Sequence, residues 1–216
     1  MPLVKIEQIN DDTKLLIWYL TEDASFFENH LTSIFADPPP WADMKSKRKK
    51  EFLATRYLLQ LGLPPDIKVS EVTKDEYGCP KLSNPALYFG ISHTSEYIGC
   101  VISTSRSGCD IERYQERILA MSHRFMTAPE LHWAQGPNEL LKTQLIWGIK
   151  ESAYKTWGRK KIDWRKHIQI DPMEWQPSTG TFSGTIGNQS GTMNFSGGYE
   201  YYSNFIFVWS IETPSL

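Results

Sequence analysis

The stretch GCDIERY, residues 108–114, decides how this chain is read. It is short, rich in strand-forming side chains, and follows a turn of small residues. In a strand, alternate side chains share a face. Asp110 and Glu112 therefore point one way, and Cys109 and Ile111 the other. The apolar pair can serve a core while the acidic pair faces a cleft. Two carboxylates on one face repel each other, more so as water is excluded. A bound cation would relieve that repulsion, and an all-oxygen donor set suits a hard ion such as Mg²⁺. A solvated strand end is the plainer alternative, because Asp-x-Glu is a common pattern.

Working outward, two more short strands precede it, at residues 87–92 (LYFGIS) and 97–103 (YIGCVIS), with polar or glycine-containing breaks between them. Residues 15–20 (LLIWYL) form a short, continuous apolar run and predict a buried strand. A helix is expected next, with Thr21 as its N-cap and Phe27, Leu31 and Ile34 at helical spacing. A second helix, from about 43 to 61, is basic in its first half and apolar in its second, and Gly62 and the Pro64-Pro65 pair end it. After the acidic strand, helices are expected at 116–125, 128–133 and 138–158, then strands at 166–170, 181–186, 192–196 and 204–212. This order predicts an α+β protein in two similar halves, 1–104 and 105–216, joined near residues 103–108.

Composition narrows the class. The 216 residues are 40% hydrophobic and 22% charged, which is globular usage. A net charge of −2 argues against bulk affinity for nucleic acid or membranes. Cys79, Cys100 and Cys109 show neither metal spacing nor an even-numbered framework, and fit a reducing cytoplasm. The first twelve residues lack a signal-peptide core, and no apolar run is long enough to span a membrane. A cytoplasmic monomer is expected.

Two further stretches carry chemistry. In WGIKESAYK, residues 147–155, Glu151 and Lys155 are one helical turn apart, with Trp147 a turn before. Ile146, Ile149, Ala153 and Trp157 form a separate apolar stripe. The pair could be a surface ion pair, or a third carboxylate beside a phosphate-binding lysine. In FGISHTSEYIGCVIS, residues 89–103, His93 ends an apolar strand among the hydroxyls of Ser92, Thr94 and Ser95. Such a cluster of donors in a turn can grip an anion. No nucleophile elbow, Walker A loop or dinucleotide fingerprint is present.

Taken together and in this order, FGISHTSEYIGCVIS, GCDIE and WGIKESAYK resemble the 4′-phosphopantetheinyl transferases of the Sfp type. RKKEFLATRYLL (48–59) is similar to that family's basic first-half helix, and DEYGCPKL (75–82) to its Gly-x-Pro turn. The resemblance implies a fold of two α+β halves related by a pseudo-twofold axis, with the active site in the cleft between them. It implies transfer of the 4′-phosphopantetheine arm from coenzyme A to a serine hydroxyl of an apo acyl or peptidyl carrier protein. Adenosine 3′,5′-bisphosphate is the other product. The attacking hydroxyl would then belong to the partner, in keeping with the lack of an internal nucleophile.

Carried onto this chain, the resemblance makes Asp110, Glu112 and Glu151 the ligands of Mg²⁺ (or Mn²⁺) on the coenzyme A pyrophosphate. Glu151 is also the candidate general base, and Lys155 a pyrophosphate contact. Ser92, His93, Arg48 and Arg56 would grip coenzyme A, with Lys150 as a further contact. Where the family often has lysine inside the Gly-x-Pro turn, this chain has Cys79, and Lys81 is the expected substitute. A basic and apolar surface for the carrier is expected at residues 117–126, although most apolar residues there suit a core. The alternative function is a family member that binds coenzyme A or a carrier without turnover.

Overall fold

The computed structural model describes residues 2–159 and 161–214. The chain divides into two compact units, Met1–Thr104 and Ser105–Leu216.

The first unit is built on an antiparallel sheet of four strands in the order β1-β2-β6-β5. These are β1 (Leu3–Asn10), β2 (Thr13–Tyr19), β5 (Tyr88–His93) and β6 (Tyr97–Ser103). Helices α1 (Ala24–Leu31) and α2 (Ser46–Gly62) follow β2, and a two-residue ladder of β3 (Thr73–Lys74) and β4 (Pro80–Lys81) lies between α2 and β5. Leu16, Trp18, Phe27, Leu53, Leu58 and Ile102 belong to one core cluster between sheet and helices. Contact is close at the end of α2, where a Cβ on Gly62 would stand 2.5 Å from Ile102 Cδ1. Lys14 Nζ donates to the Gly62 carbonyl at 3.0 Å and satisfies a helix-end acceptor.

The expected N-cap of α1, Thr21, is corrected. Asp23 is the cap, with extended backbone and a carboxylate that accepts from Phe26 N–H at 3.1 Å. Asp and Thr both suit this position, and register decides between them. β1 was not expected at all. Val4 and Ile6 are exposed on it, so the strand has no clean buried face to announce it.

The second unit is a five-stranded antiparallel sheet, ordered β7-β11-β10-β9-β8. It comprises β7 (Ser107–Arg113), β8 (Ile168–Ile170), β9 (Thr179–Asn188), β10 (Gly191–Tyr201) and β11 (Phe205–Thr213). Between β7 and β8 run α3 (Arg117–Met121), α4 (Ala128–Ala134) and the long α5 (Glu139–Trp157). Ile149, Ala153 and Trp157 pack with Phe195, Ile206 and Val208, as the stripe on α5 predicts. Each unit is thus an antiparallel sheet with helices, although strand number and order differ. One thiol in each unit, Cys100 and Cys109, has no exposed surface.

Candidate active site

Helix α5 is delimited by two left-handed residues, Asn138 at its start (φ 65°) and Gly158 at its end (φ 66°). Both types tolerate that conformation. It crosses β7 at Gly108. A Cβ there would lie 2.4 Å from the Ser152 carbonyl oxygen and 2.7 Å from Thr156 N, both backbone atoms that cannot swing aside. The even-numbered residues of β7 therefore face α5. Asp110 comes two positions after Gly108 and Glu112 two further, so the acids of GCDIERY are turned towards the helix that carries Glu151 and Lys155.

Gly108→Ala is expected to push α5 off β7 and cost roughly 1–3 kcal/mol, the range for overpacking. Chemical denaturation of the variant measures this, and an unchanged midpoint would mean the crossing is looser than the geometry indicates.

Asp110 is only 3% exposed and Lys155 meets it. Lys155 Nζ donates to Asp110 Oδ1 at 2.9 Å and to the Cys109 carbonyl at 3.0 Å. Burial opposes the lysine charge, but Asp110 and the other anionic neighbours outweigh it and raise its pKa. The glutamates are less well compensated. Burial pushes Glu112 up to about 7, and repulsion from Asp110 and Glu151 adds to this while Lys155 opposes it. Glu151 also rises to about 7, first through burial and then through Asp110, with Lys155 again opposing. The four side chains form one electrostatic cluster of three acids and one lysine.

Among the described residues, no group of three or more His, Cys, Asp or Glu side chains is arranged to hold a metal ion. Asp110, Glu112 and Glu151, the expected Mg²⁺ ligands, share one electrostatic field, in which Lys155 is hydrogen-bonded to Asp110 Oδ1. Their donor chemistry still fits a hard divalent cation. All are oxygen donors, and burial followed by repulsion from Asp110 raises the two glutamates to about 7. Mg²⁺ ordinarily takes one or two carboxylates and completes its octahedron with waters and substrate phosphates.

Lys150 is a correction. It has no exposed surface, and its ammonium donates to the Phe125 carbonyl (2.7 Å), Glu130 Oε2 (2.8 Å) and the Trp164 carbonyl (3.1 Å). An ammonium has three donors. All three serve the fold, so none is left for coenzyme A.

In the first unit, α2 lines an open groove of about 320 Å³. Arg48, Phe52 and Arg56 recur every four residues on one helix face, and Lys74, Pro80, Ile91 and His93 complete much of the lining. Arg56 lies over the Phe52 ring at 4.8 Å, and burial lowers its pKa. Arg48, Arg56 and His93 are thus brought together. Ser92 and Lys81 are not among the lining residues, and strand alternation explains both. Ser92 lies between Ile91 and His93 and faces the other way. In the small ladder Lys81 pairs with Thr73, while Lys74 pairs with Pro80 and shares its face. Lys74 is the cation that sequence reasoning missed. Its only prior signal was its place opposite the turn proline. Thr94 is occupied structurally, its hydroxyl accepting from Glu96 and Tyr97 N–H at 3.1 and 2.9 Å.

Residues 117–126 place Ile118, Phe125 and Met126 in a core cluster and leave Met121 exposed. Most of the apolar residues there serve packing, while Met121 is exposed in a stretch that also exposes Arg117 and Arg124.

The first unit thus carries a groove lined by Arg48, Arg56 and Lys74, and the second an acid–lysine cluster. Residues 106–197 match the family model of the 4′-phosphopantetheinyl transferase superfamily. The chain is 32% identical over 112 residues to the 4′-phosphopantetheinyl transferase gsp of Aneurinibacillus migulanus, covering 50% of this chain and 46% of that protein. It is 30% identical over 88 residues to a 4′-phosphopantetheinyl transferase of Bacillus subtilis, covering 39% of each. The similarity to that superfamily takes in both β7 and α5. The chain spans less than half the length of these curated relatives. No helix among the described residues is long and apolar enough to cross a membrane.

Proposed function

We propose that the protein is an Sfp-type, Mg²⁺-dependent transferase. It moves the 4′-phosphopantetheine arm of coenzyme A to a serine of an apo carrier protein. The observation that carries this reading is the meeting of Asp110, Glu112, Glu151 and Lys155 where α5 crosses β7, inside the stretch the family model matches.

The step balances without a protein nucleophile. The carrier serine oxygen attacks the pantetheine-bearing phosphorus, and a new P–O bond forms. The bond from that phosphorus to the bridging oxygen breaks, and adenosine 3′,5′-bisphosphate leaves with the electron pair. The serine proton passes to Glu151, whose affinity for a proton near pH 7 suits a general base. Lys155 offers positive charge to the pyrophosphate while Asp110 holds its ammonium in place. Asp110 and Glu112 would hold the divalent cation, which when bound neutralises charge on the leaving phosphate. Arg48, Arg56, Lys74 and His93 are assigned to the phosphate groups of coenzyme A, with Phe52 and Ile91 as apolar walls of the groove.

Incubation with coenzyme A, Mg²⁺ and a panel of apo carriers, read by intact mass, tests the reading. A gain of one phosphopantetheine unit that disappears with chelator supports it. Coenzyme A binding without any gain on the panel would favour a non-catalytic binding protein. A second expectation separates the two lysines of the small ladder. Lys74→Ala should raise the KM for coenzyme A by about tenfold, the loss of one charged contact, and Lys81→Ala should leave it unchanged. The reverse pattern would restore Lys81 as the substitute for the lysine missing at Cys79.

A further inference from the structure

The run GRKKIDWRKH, residues 158–167, has no part in the reading above. Positions 159–166 hold five basic residues and one acid, a local charge of +4 in a chain of net −2. Lys160 lies outside the described residues and enters only as a charge. Lys161 and Arg165 are exposed. The Lys166 side chain is 79% exposed, and its ion pair with Asp163, at 3.9 Å, is a surface contact that offsets little of its charge.

These charges sit on an ordered turn. The Asp163 carboxylate accepts from the N–H groups of Arg165 (3.0 Å) and Lys166 (3.2 Å), while Asp163 N–H donates to His167 Nδ1 at 2.9 Å. Trp164 stacks on Trp147 at 5.0 Å and meets Tyr154 at 5.7 Å, and its carbonyl receives the buried Lys150 ammonium. Trp147 and Tyr154 lie one turn before and one turn after Glu151 on α5. At the near end, Arg159 lies over the Trp157 ring at 4.8 Å and donates to the Ser190 carbonyl. The basic turn is therefore fixed to the segment of α5 that carries Glu151.

We infer that the turn at 161–166 is the docking surface for the acidic face of a partner protein. Resting on the reading above, that partner is the apo carrier. Charges further away than about 8 Å are largely screened at physiological ionic strength, so an approaching acidic surface senses this turn rather than the net −2. Little ordering is needed on binding, because backbone and aromatic contacts already hold the turn. Attachment through Trp164 to the turns flanking Glu151 brings the docked partner to the part of the helix where its serine would be deprotonated. Residues 117–126, the surface expected beforehand, bury Ile118, Phe125 and Met126 and expose Arg117, Met121 and Arg124, a sparser set of charges than the turn.

The test is fluorescence anisotropy of labelled apo carrier proteins, without coenzyme A, across a salt series. Arg165→Glu/Lys166→Glu is compared with Lys45→Glu/Lys47→Glu, which makes the same change in net charge at exposed positions, the N-cap and first turn of α2. The first variant is expected to weaken binding by about tenfold or more at low salt and to flatten the salt dependence. The second should bind as the unaltered protein does. Equal binding by both variants and the parent, equal loss in both variants, or no salt-sensitive binding by the parent would overturn the inference. So would a rise in the KM for coenzyme A alone, which would mean that the turn reads phosphate. Salt-sensitive binding of a carrier that gains no mass would sink the transfer reading and leave the docking surface standing.

Discussion

Glu151→Gln is expected to slow phosphopantetheine transfer by about 10²–10⁴-fold, the usual contribution of a positioned base. The same change should make the metal-free protein more stable at pH 8. Glu151 and Glu112 both titrate near 7 when folded, against an ordinary value of 4.5. Between those pH values the folded chain keeps protons that the unfolded chain has released. Stability from this source is therefore full below about pH 4.5 and is lost as pH rises through about 7. Glutamine removes one of the two penalised charges, and it also removes a repulsion that Glu112 experiences. Thermal melts in chelator should show the variant a few degrees above the parent at pH 8, on the order of 2–4 °C per kcal/mol, and level with it near pH 4.5. A variant less stable at pH 8 would show that Glu151 contributes to the fold through contacts rather than straining it through charge.

Lys150→Met is expected to behave in the opposite way. It should destabilise the protein by roughly 3–5 kcal/mol, the cost of breaking a largely buried charge pair by removing one partner. The melting temperature should fall by on the order of 10 °C. Glu130 is the abandoned group. It is tied into the first turn of α4, where its carboxylate also accepts from Thr127 N–H at 2.7 Å. Adding Glu130→Gln should recover part of the loss, because the uncompensated charge is then gone. Among molecules that remain folded, the KM for coenzyme A should be unchanged. An intact melting temperature with a raised KM would instead make Lys150 a ligand-binding residue, as its sequence position first suggested.

The contrast between Lys150 and Lys155 shows where reading from sequence stops. The apolar stripe of α5, the strand at 107–113 and the facing of Asp110 and Glu112 all follow from periodicity, because each depends on neighbours within a few positions. What a lysine meets at the end of its four-carbon stem does not. Lys150 finds acceptors 25, 20 and 14 positions away, at Phe125, Glu130 and Trp164, and Lys155 finds Asp110 45 positions back. Both are the same residue type on one helix, and only the packing separates their roles. Lys74 and Lys81 repeat the lesson on a smaller scale. A ladder two residues long has no periodicity to detect, yet its pairing decides which lysine enters the groove. The edge strand β1 went unseen for a third reason, since its exposed Val4 and Ile6 break the one-sided pattern by which a half-buried strand is known.

The placement of the thiols has a practical consequence. Cys100 in the first unit and Cys109 in the second are wholly enclosed, whereas Cys79 is partly accessible. A thiol-specific reagent should therefore modify Cys79 promptly, and reach the other two only when the surrounding sheet opens. With Cys79 replaced by serine, labelling kinetics resolved by peptide would act as two internal clocks, one for each unit. They would show whether the two halves breathe together or come apart one at a time.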